Sequence, residues 1–375
     1  MNSSKSLENI YKLATVFLEG LTPEMVAAFP ERDIDAETFF TLSDSELNAL
    51  IGKIKGVDFG SYKREEAVSR ARKELEFMER HGIGMLYVND DDYPQQLLET
   101  ASPPKVLFVL GQANLMVEHM ISVVGTRRCT QAGIKFCREF IEELAPMFPD
   151  LCITSGLAYG IDSVGHLAAI NCGRATVAVL AHGLDMIYPA AHRNLAKDIL
   201  AHGGALVSEY PAGVTPYRSR FLERNRIVAS LSEATVVIES EIKGGAMSTA
   251  NTAFSYNREV FAVPGRPSDQ MSSGCNYLLR KNKAHILTSV SDFMEDMDWR
   301  PSGIRIDSRQ RCLFPELTGD SKIVYDCLRF QCEPMTPDAI RGATTLPISK
   351  IIAALGELEL DGIVTRIAGN RYELA

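Results

Sequence analysis

From residue 121 onward, short runs of apolar and mostly β-branched residues recur with helix-length amphipathic stretches between them. The runs fall at 121–124, 151–154, 176–180, 205–208, 235–238, 259–263 and 284–287. Runs of this length, apolar on both faces and separated by helices, belong to parallel strands covered on both sides and joined by right-handed crossovers. The middle of the chain, 79–299, therefore predicts an α/β, doubly wound parallel sheet. Before it, helical spacing at 7–19, 24–29, 36–41, 44–54 and 61–81, with turns at 58–61 and 81–84, predicts a small N-terminal helical domain over 1–78. Residues 85–115 are extended and predict strand and turn pieces flanking the sheet. A polar stretch at 300–316 predicts a linker. Helical patterns at 321–331, 336–341 and 347–361, then two short strands around Gly369-Asn370, predict a C-terminal winged-helix domain over 317–375.

Composition narrows the class. The 375 residues are 46% hydrophobic and 23% charged with a mean hydropathy of −0.03, the balance of a soluble globular protein. The longest apolar runs are broken well short of the ~20 residues a spanning helix needs, so no membrane is expected. The N-terminus has no plan of basic, apolar and small residues, so a cytoplasmic place is expected. Eight cysteines form no CxxC pair, which argues for reducing surroundings and no zinc or other metal site.

A net charge of −9 points away from nucleic acid, whose affinity rests on neutralised phosphates. Resolved along the chain, the charge divides. Residues 1–110 carry 12 basic and 19 acidic side chains, 111–290 carry 17 and 15, and 291–375 carry 10 and 14. Only the middle is not acidic. Within it, Arg218, Arg220, Arg224 and Arg226 crowd into one decapeptide against the single Glu223.

Ligands of doubly wound sheets bind outside the carboxyl ends of the strands. The chain has no GxGxxG, Walker A or GxSxG sequence, which removes the usual arguments for a nicotinamide enzyme, a P-loop ATPase or an α/β-hydrolase. His166, His182 and His192, with Asp162 and Asp185 nearby, match no metal-ligand spacing and read as groups bonding loop backbone. Three strand-to-helix loops carry more. Gly125-Thr126-Arg127-Arg128 joins a sharp turn to a helix start suited to an anion. Ser155-Gly156 opens a second such loop with Asp162 placed to cap it, and Lys243-Gly244-Gly245 opens a third ahead of Ser248 and Thr249. Several phosphate-sized loops along one sheet edge, beside the arginine cluster, suit a polyanion better than a single nucleotide. Tyr217, Phe221 and Phe254 are candidates to stack a base.

GTRR, SGLAYGID followed by His166, TVAVLAHGLDMIYP, RFLERNRIVASLS, KGGAMSTANTAF, REVFAVPG and SSGCNYLL occur in one order over residues 85–295. In this the chain resembles the DNA-processing protein A family (DprA/Smf). The resemblance implies a Rossmann-like domain that binds and protects single-stranded DNA without sequence preference and loads the RecA recombinase on it during natural transformation. It also implies a homodimer through that domain, no cofactor and no catalytic activity. By that resemblance Arg127, Arg224, Arg226 and Lys243 contact phosphates. Gly125, Thr126, Ser155, Gly156, Gly244, Gly245, Ser248 and Thr249 shape the site, Asn225 positions the arginines, and Arg218, Arg220 and Phe221 lie beside it. Residues 278–293, apolar and late in the sheet, are the expected dimer segment. The chain departs from the family pattern at Ala181, around His192, and at Gly245 or Ala246, where a serine is usual. The alternative is a Rossmann-like nucleotide phosphoribohydrolase of the lysine-decarboxylase-like group. KGGAMSTAN lacks the glycine-threonine pair and the glutamate of that group's PGGxGTxxE signature. The acidic N-terminal part and the C-terminal part, with Lys350 the single base of its expected recognition helix, are expected to contact protein as readily as DNA.

Overall fold

The computed structural model describes residues 3–51, 62–301, 319–331, 334–360, 363–367 and 371–374. The expected turns at 58–61 and Gly369-Asn370, and the expected linker from residue 302 on, lie outside these. The chain divides into two compact units, Met1–Gly303 and Ile304–Ala375.

The first unit opens with helices α1 (Ser3–Ala14), α2 (Pro23–Ala27), α3 (Ala36–Thr41), α4 (Asp44–Ile51) and α5 (Arg64–His81). Their starts follow local chemistry. Thr22 accepts from the Met25 amide with Pro23 at the first helical position, and Asp35 accepts from the Thr38 amide. α5 stops where Gly82 turns left-handed at φ +65°.

The sheet is built from β1 (Gly84–Tyr87), β2 (Val106–Gly111), β3 (Met120–Val124), β4 (Cys152–Ser155), β5 (Thr176–Leu180), β6 (Ala205–Ser208), β7 (Ala234–Val237), β8 (Glu259–Ala262) and β9 (His285–Ile286). Their spatial order is β1-β2-β6-β5-β4-β3-β7-β8-β9. Pairs from β6 to β9 are parallel, whereas β2 lies antiparallel to β6 and β1 antiparallel to β2. The extended stretch 85–115 thus does more than flank the sheet. It adds two antiparallel strands to one edge, which needs no helical crossover between them. From β3 the chain steps outward to β6, then returns to place β7 on the other side of β3. That reversal opens a crevice between the carboxyl ends of β3 and β7.

Between the strands run α6 (Gln95–Leu98), α7 (Gln131–Leu144), α8 (Ile161–Asn171), α9 (Arg193–Ala201), α10 (Arg218–Leu231), α11 (Gly245–Ser255), α12 (Ser273–Arg280) and α13 (Val290–Asp296). Strand residues alternate between two cores. Ile121, Val123, Ile153, Val236 and Phe261 pack with α7, α8 and α13. Met120, Val124, Val177, Val179 and Val207 pack with α10, α11 and α12 and with the N-terminal helices.

The N-terminal helices share this second core and are also tied to the sheet by polar contacts. The Lys105 ammonium donates to the carbonyls of Thr15 (2.6 Å) and Leu21 (2.9 Å), and Asn89 donates to the Val26 carbonyl (2.8 Å). On α5, the Glu74 carboxylate accepts from the Ala212 amide (2.9 Å), in the loop that leads into α10. Residue 78 lies within α5, and the helices before it and the sheet after it belong to one compact unit.

The second unit holds α14 (Gly319–Gln331), α15 (Pro337–Ala343), α16 (Ile348–Leu360), β10 (Val364–Ile367) and β11 (Arg371–Leu374). Val324, Leu328, Ile340, Ile351, Leu355, Leu358, Val364 and Tyr372 form its core. β10 and β11 pair antiparallel, and Met335 bonds Tyr372 as a third short rung. Among the described residues of both units, no helix is long and apolar enough to cross a membrane.

Two glycines separate backbone necessity from free space. Gly160 sits at φ +79°, and a Cβ there would lie 2.2 Å from the Thr126 carbonyl, where the β3 and β4 loops touch. At Gly245 a Cβ would meet nothing within 4 Å. Gly160→Ala is expected to destabilise the first unit by about 2 kcal/mol or more, and Gly245→Ala to change it by less than about 1 kcal/mol. Thermal or denaturant unfolding measures both, and equal effects would contradict the packing described.

Candidate nucleic-acid interface

The crevice at the reversal is a cleft of about 810 Å³. The loop after β3 supplies Gly125, Thr126, Arg127 and Arg128 to it, and the first turns of α10 supply Arg218, Phe221, Arg224 and Asn225. The loop after β7 supplies Glu241, Lys243, Gly244 and Gly245, and Gly156, Asp162 and Tyr188 complete the wall. Five basic side chains thus meet two acidic ones.

Two helices begin at this cleft without a side-chain cap, α10 after Tyr217 and α11 after Gly244. Their first-turn amides and helix dipoles favour an anion there. Neither has an acidic residue in its first turn. Aromatic surface lies alongside. Tyr217 is 67% exposed, and Tyr188 is also exposed. Phe221 is already engaged, with the Arg127 guanidinium 5.6 Å from its ring centroid and the Tyr188 ring 5.8 Å away. It therefore aims Arg127, and Tyr217 is left as the open stacking face.

Beneath the cleft the charges are committed inward. Asp162 is buried and accepts from the amides of Gly156 (3.2 Å) and Ala158 (3.3 Å). Burial pushes its carboxyl up, and the neighbouring Arg224 guanidinium and these amides pull it back. Arg224 is 4% exposed and donates to the Val179 carbonyl (2.5 Å). Its guanidinium lies so close over Gly156 that a Cβ there would fall 2.1 Å from Nη1. Burial lowers the Arg224 pKa, with Asp162 the main opposing influence. Glu239, at the end of the β7 run, is also buried. It takes hydrogen bonds from the Thr130 amide (2.8 Å) and hydroxyl at the start of α7, and a Cβ on Gly133 would strike its carboxylate. The helix start after GTRR, expected to hold an anion, already holds this one. The amides of the Gly156 loop are likewise taken by Asp162.

Most of the residues singled out from sequence meet in the cleft, including Gly125, Thr126, Arg127, Gly156, Arg218, Phe221, Arg224, Asn225, Lys243, Gly244, Gly245 and Thr249. Four are placed elsewhere. Ser155 is buried in the sheet and donates to the Val123 carbonyl. Arg220 bonds the Thr215 carbonyl and lies over Tyr210. Arg226 pairs with Glu209 on the far side of α10, because residues two apart on a helix point in nearly opposite directions. Ser248 lies one turn along α11, off the cleft wall. Asn225 reaches toward the Gly245 carbonyl (3.5 Å) and links α10 to the start of α11, without lying between two cleft arginines. Phe254 sits at the far end of α11 under Lys283. Sequence reasoning passed over Arg128, Tyr188 and Glu241 as site residues. Arg128 and Glu241 face each other across the cleft at 3.5 Å.

The three histidines bond their surroundings. His182 faces the Gly183 carbonyl and accepts from the Tyr188 amide, and His192 faces the Leu157 carbonyl. His166 pairs with the Thr176 hydroxyl, and burial lowers its pKa to about 3, so it is neutral. In the second unit, Lys350 of α16 pairs with Asp320 (3.0 Å), so its charge is met within that unit.

Comparisons with known proteins agree with this geometry. A family model described as DNA recombination-mediator protein A matches residues 84–298, and one described as the DprA winged helix domain matches 314–370. Protein Smf of Escherichia coli is 32% identical over 340 residues, 88% of each chain. A putative DNA processing protein DprA of Mycobacterium tuberculosis is 34% identical over 309 residues, 79% of this chain and 78% of its own. The structure of DNA processing protein A from Streptococcus pneumoniae superposes with a TM-score of 0.63 at 29% identity, over 77% of this chain and 97% of that one. The protein of the same name from Helicobacter pylori, whose structure concerns its single-stranded DNA binding mode, gives 0.52 at 29% identity, over 57% and 95%. A doubly wound sheet with a basic cleft at its reversal, a winged-helix module after it and these matches together show that the chain belongs to the DNA recombination-mediator protein A family, DprA/Smf.

Proposed function

We propose that this chain binds single-stranded DNA in the cleft between β3 and β7, without sequence preference, protects it, and passes it to a RecA-type recombinase in the cytoplasm. The observation that carries the reading is the pairing of exposed Arg127, Arg128, Arg218 and Lys243 with uncapped helix starts and an open tyrosine in one cleft. Phosphate contacts position a strand and an aromatic face accepts any base, so neither element favours a sequence. The recombinase step rests on the family's description as a recombination mediator. Homodimerisation through the sheet domain is part of the proposal, and its surface is narrower than the segment 278–293. Leu278, Leu287, Val290 and Phe293 of that segment are core, whereas Ile286 on edge strand β9 is 54% exposed.

No catalytic step is proposed. The phosphoribohydrolase alternative requires a free carboxylate poised beside the ligand. Asp162 is occupied by two amides and Arg224, and Glu241 faces Arg128. The alternative therefore has no support in this cleft.

Arg127→Glu or Lys243→Glu is expected to weaken binding to a fluorescent oligo-dT by at least about tenfold while circular dichroism and melting stay unchanged. Unaltered affinity in a folded variant would remove the site assignment. With four exposed basic contacts, log affinity is expected to fall with log salt at a slope of about −3, and Lys243→Ala to reduce that slope by about 0.7. Arg226→Ala behaves oppositely: stability drops by about 2–3 kcal/mol as Glu209 loses its partner, and the folded fraction keeps its oligo-dT affinity. A gel shift alongside a melt separates the two effects.

A further inference from the structure

We infer that Glu118, His119 and Asp150 form a site for a divalent transition-metal ion of the zinc class, at the end of the sheet opposite the cleft. One ring nitrogen and one oxygen from each carboxylate lie within 4.8 Å of one another. Ligands held about 2.0–2.2 Å from one ion are at most about 4.4 Å apart, so small side-chain rotations close the shell. The donors are one imidazole and two carboxylates, a set that suits zinc and its neighbours better than magnesium or calcium. It contains no cysteine, so cysteine spacing does not bear on it.

Backbone pairing brings these groups together. His119 immediately precedes β3, and its carbonyl accepts from the Cys152 amide at the start of β4 (2.8 Å). That rung sets Asp150, just ahead of β4, beside the ring, whose Nδ1 lies 2.8 and 2.9 Å from the two Asp150 oxygens. Aromatic rings fix the imidazole from its other sides, with the Phe148 centroid 4.6 Å away and the Trp299 centroid 4.5 Å away, edge-on. A ligand held this way needs little reordering to take a metal. Charge at the same place is unbalanced. Glu118 is exposed and has no hydrogen-bond donor or ion-pair partner among the described residues. Glu233, just ahead of β7, adds a third carboxylate and accepts from Trp299 Nε1 (3.1 Å). Burial pushes the Glu233 carboxyl up, the Trp299 N–H opposes this, and repulsion from Glu118 adds to it. Three carboxylates thus crowd one imidazole, and a divalent cation supplies the positive charge that the ring alone does not. Because Trp299 packs on that ring near the end of the first unit, the ion would tie the starts of β3 and β4 to the last residues of the unit.

Trp299 is the single tryptophan of the chain, so its fluorescence reports on the ring beside it. The test titrates the full chain, first dialysed against chelator, with Zn²⁺, Ni²⁺ and Mg²⁺, followed by that emission and by equilibrium dialysis. The expected result is one Zn²⁺ or Ni²⁺ per chain at low micromolar concentration, with Ni²⁺ quenching the emission and Mg²⁺ binding at least about a hundredfold more weakly. His119→Gln, and Glu118→Gln at an exposed position that the fold does not need, should each weaken Zn²⁺ by at least about tenfold and remove the fluorescence response. His285→Gln, at the other imidazole flanked by two carboxylates, Glu259 and Asp296, should change neither. Equally weak binding of Mg²⁺ and Zn²⁺ marks a plain acidic surface and overturns the inference. So does zinc held by folded Glu118→Gln and His119→Gln variants as tightly as by the unaltered chain.

Discussion

A carboxylate taken out of water must find donors, and the carboxyl edge of this sheet is arranged around two that do. Glu239 reaches from the β7 side to the start of α7, and Asp162 folds back onto the loop after β4 with Arg224 beside it. The Glu239 contact joins loops whose strands are not consecutive in the chain, whereas the Asp162 bonds close their own loop and meet α10 through Arg224. They also settle which backbone amides remain open. With the β4 loop and the α7 start satisfied internally, positive potential collects on the α10 and α11 side, and that asymmetry gives the cleft one working wall. The close backbone approaches at Gly125 and Gly156 follow from the same arrangement, since a side chain at either would push against Ile161 or the Arg224 guanidinium.

Much of this was legible in the amino-acid order. The parallel strands announce themselves as apolar runs, and the loops after them by glycine, small hydroxyl and basic residues. Helix boundaries in both terminal regions follow capping residues such as Asp35 and Thr336. What escaped was long-range. Nothing near Glu239 in sequence says that its carboxylate will cap a helix more than a hundred residues earlier, because that contact exists only once β3 and β7 lie side by side. Arg224 and Arg226 look equivalent in the RNR motif, and the helical repeat alone would have separated them. Which one turns inward depends on the sheet beneath α10. The antiparallel edge formed by β1 and β2 was hidden because an extended stretch does not state its partner.

Charge reads differently at each scale. The chain total of −9 argues against DNA, and the middle segment is close to neutral. At the cleft itself five bases face two acids, of which Asp162 is internally compensated. Glu241 is the remaining negative group on the wall, opposite Arg128. On the proposed reading a phosphate entering the cleft would compete with that carboxylate, and the Glu241 carbonyl is held by the Gly244 amide (2.8 Å) and the Ser240 hydroxyl (2.9 Å).

Lys105 bears on where this protein begins as a physical object. Its ammonium is buried, burial lowers its pKa to about 8, and its hydrogen-bond acceptors are the main-chain oxygens of Thr15 and Leu21. Those oxygens lie ahead of residue 84, where the family match starts. A chain cut at that point would lose both acceptors together with the helices packed over them. The segment recognised by kinship is thus shorter than the compact unit Met1–Gly303, and the helices before it supply the acceptors for a charge carried beside β2.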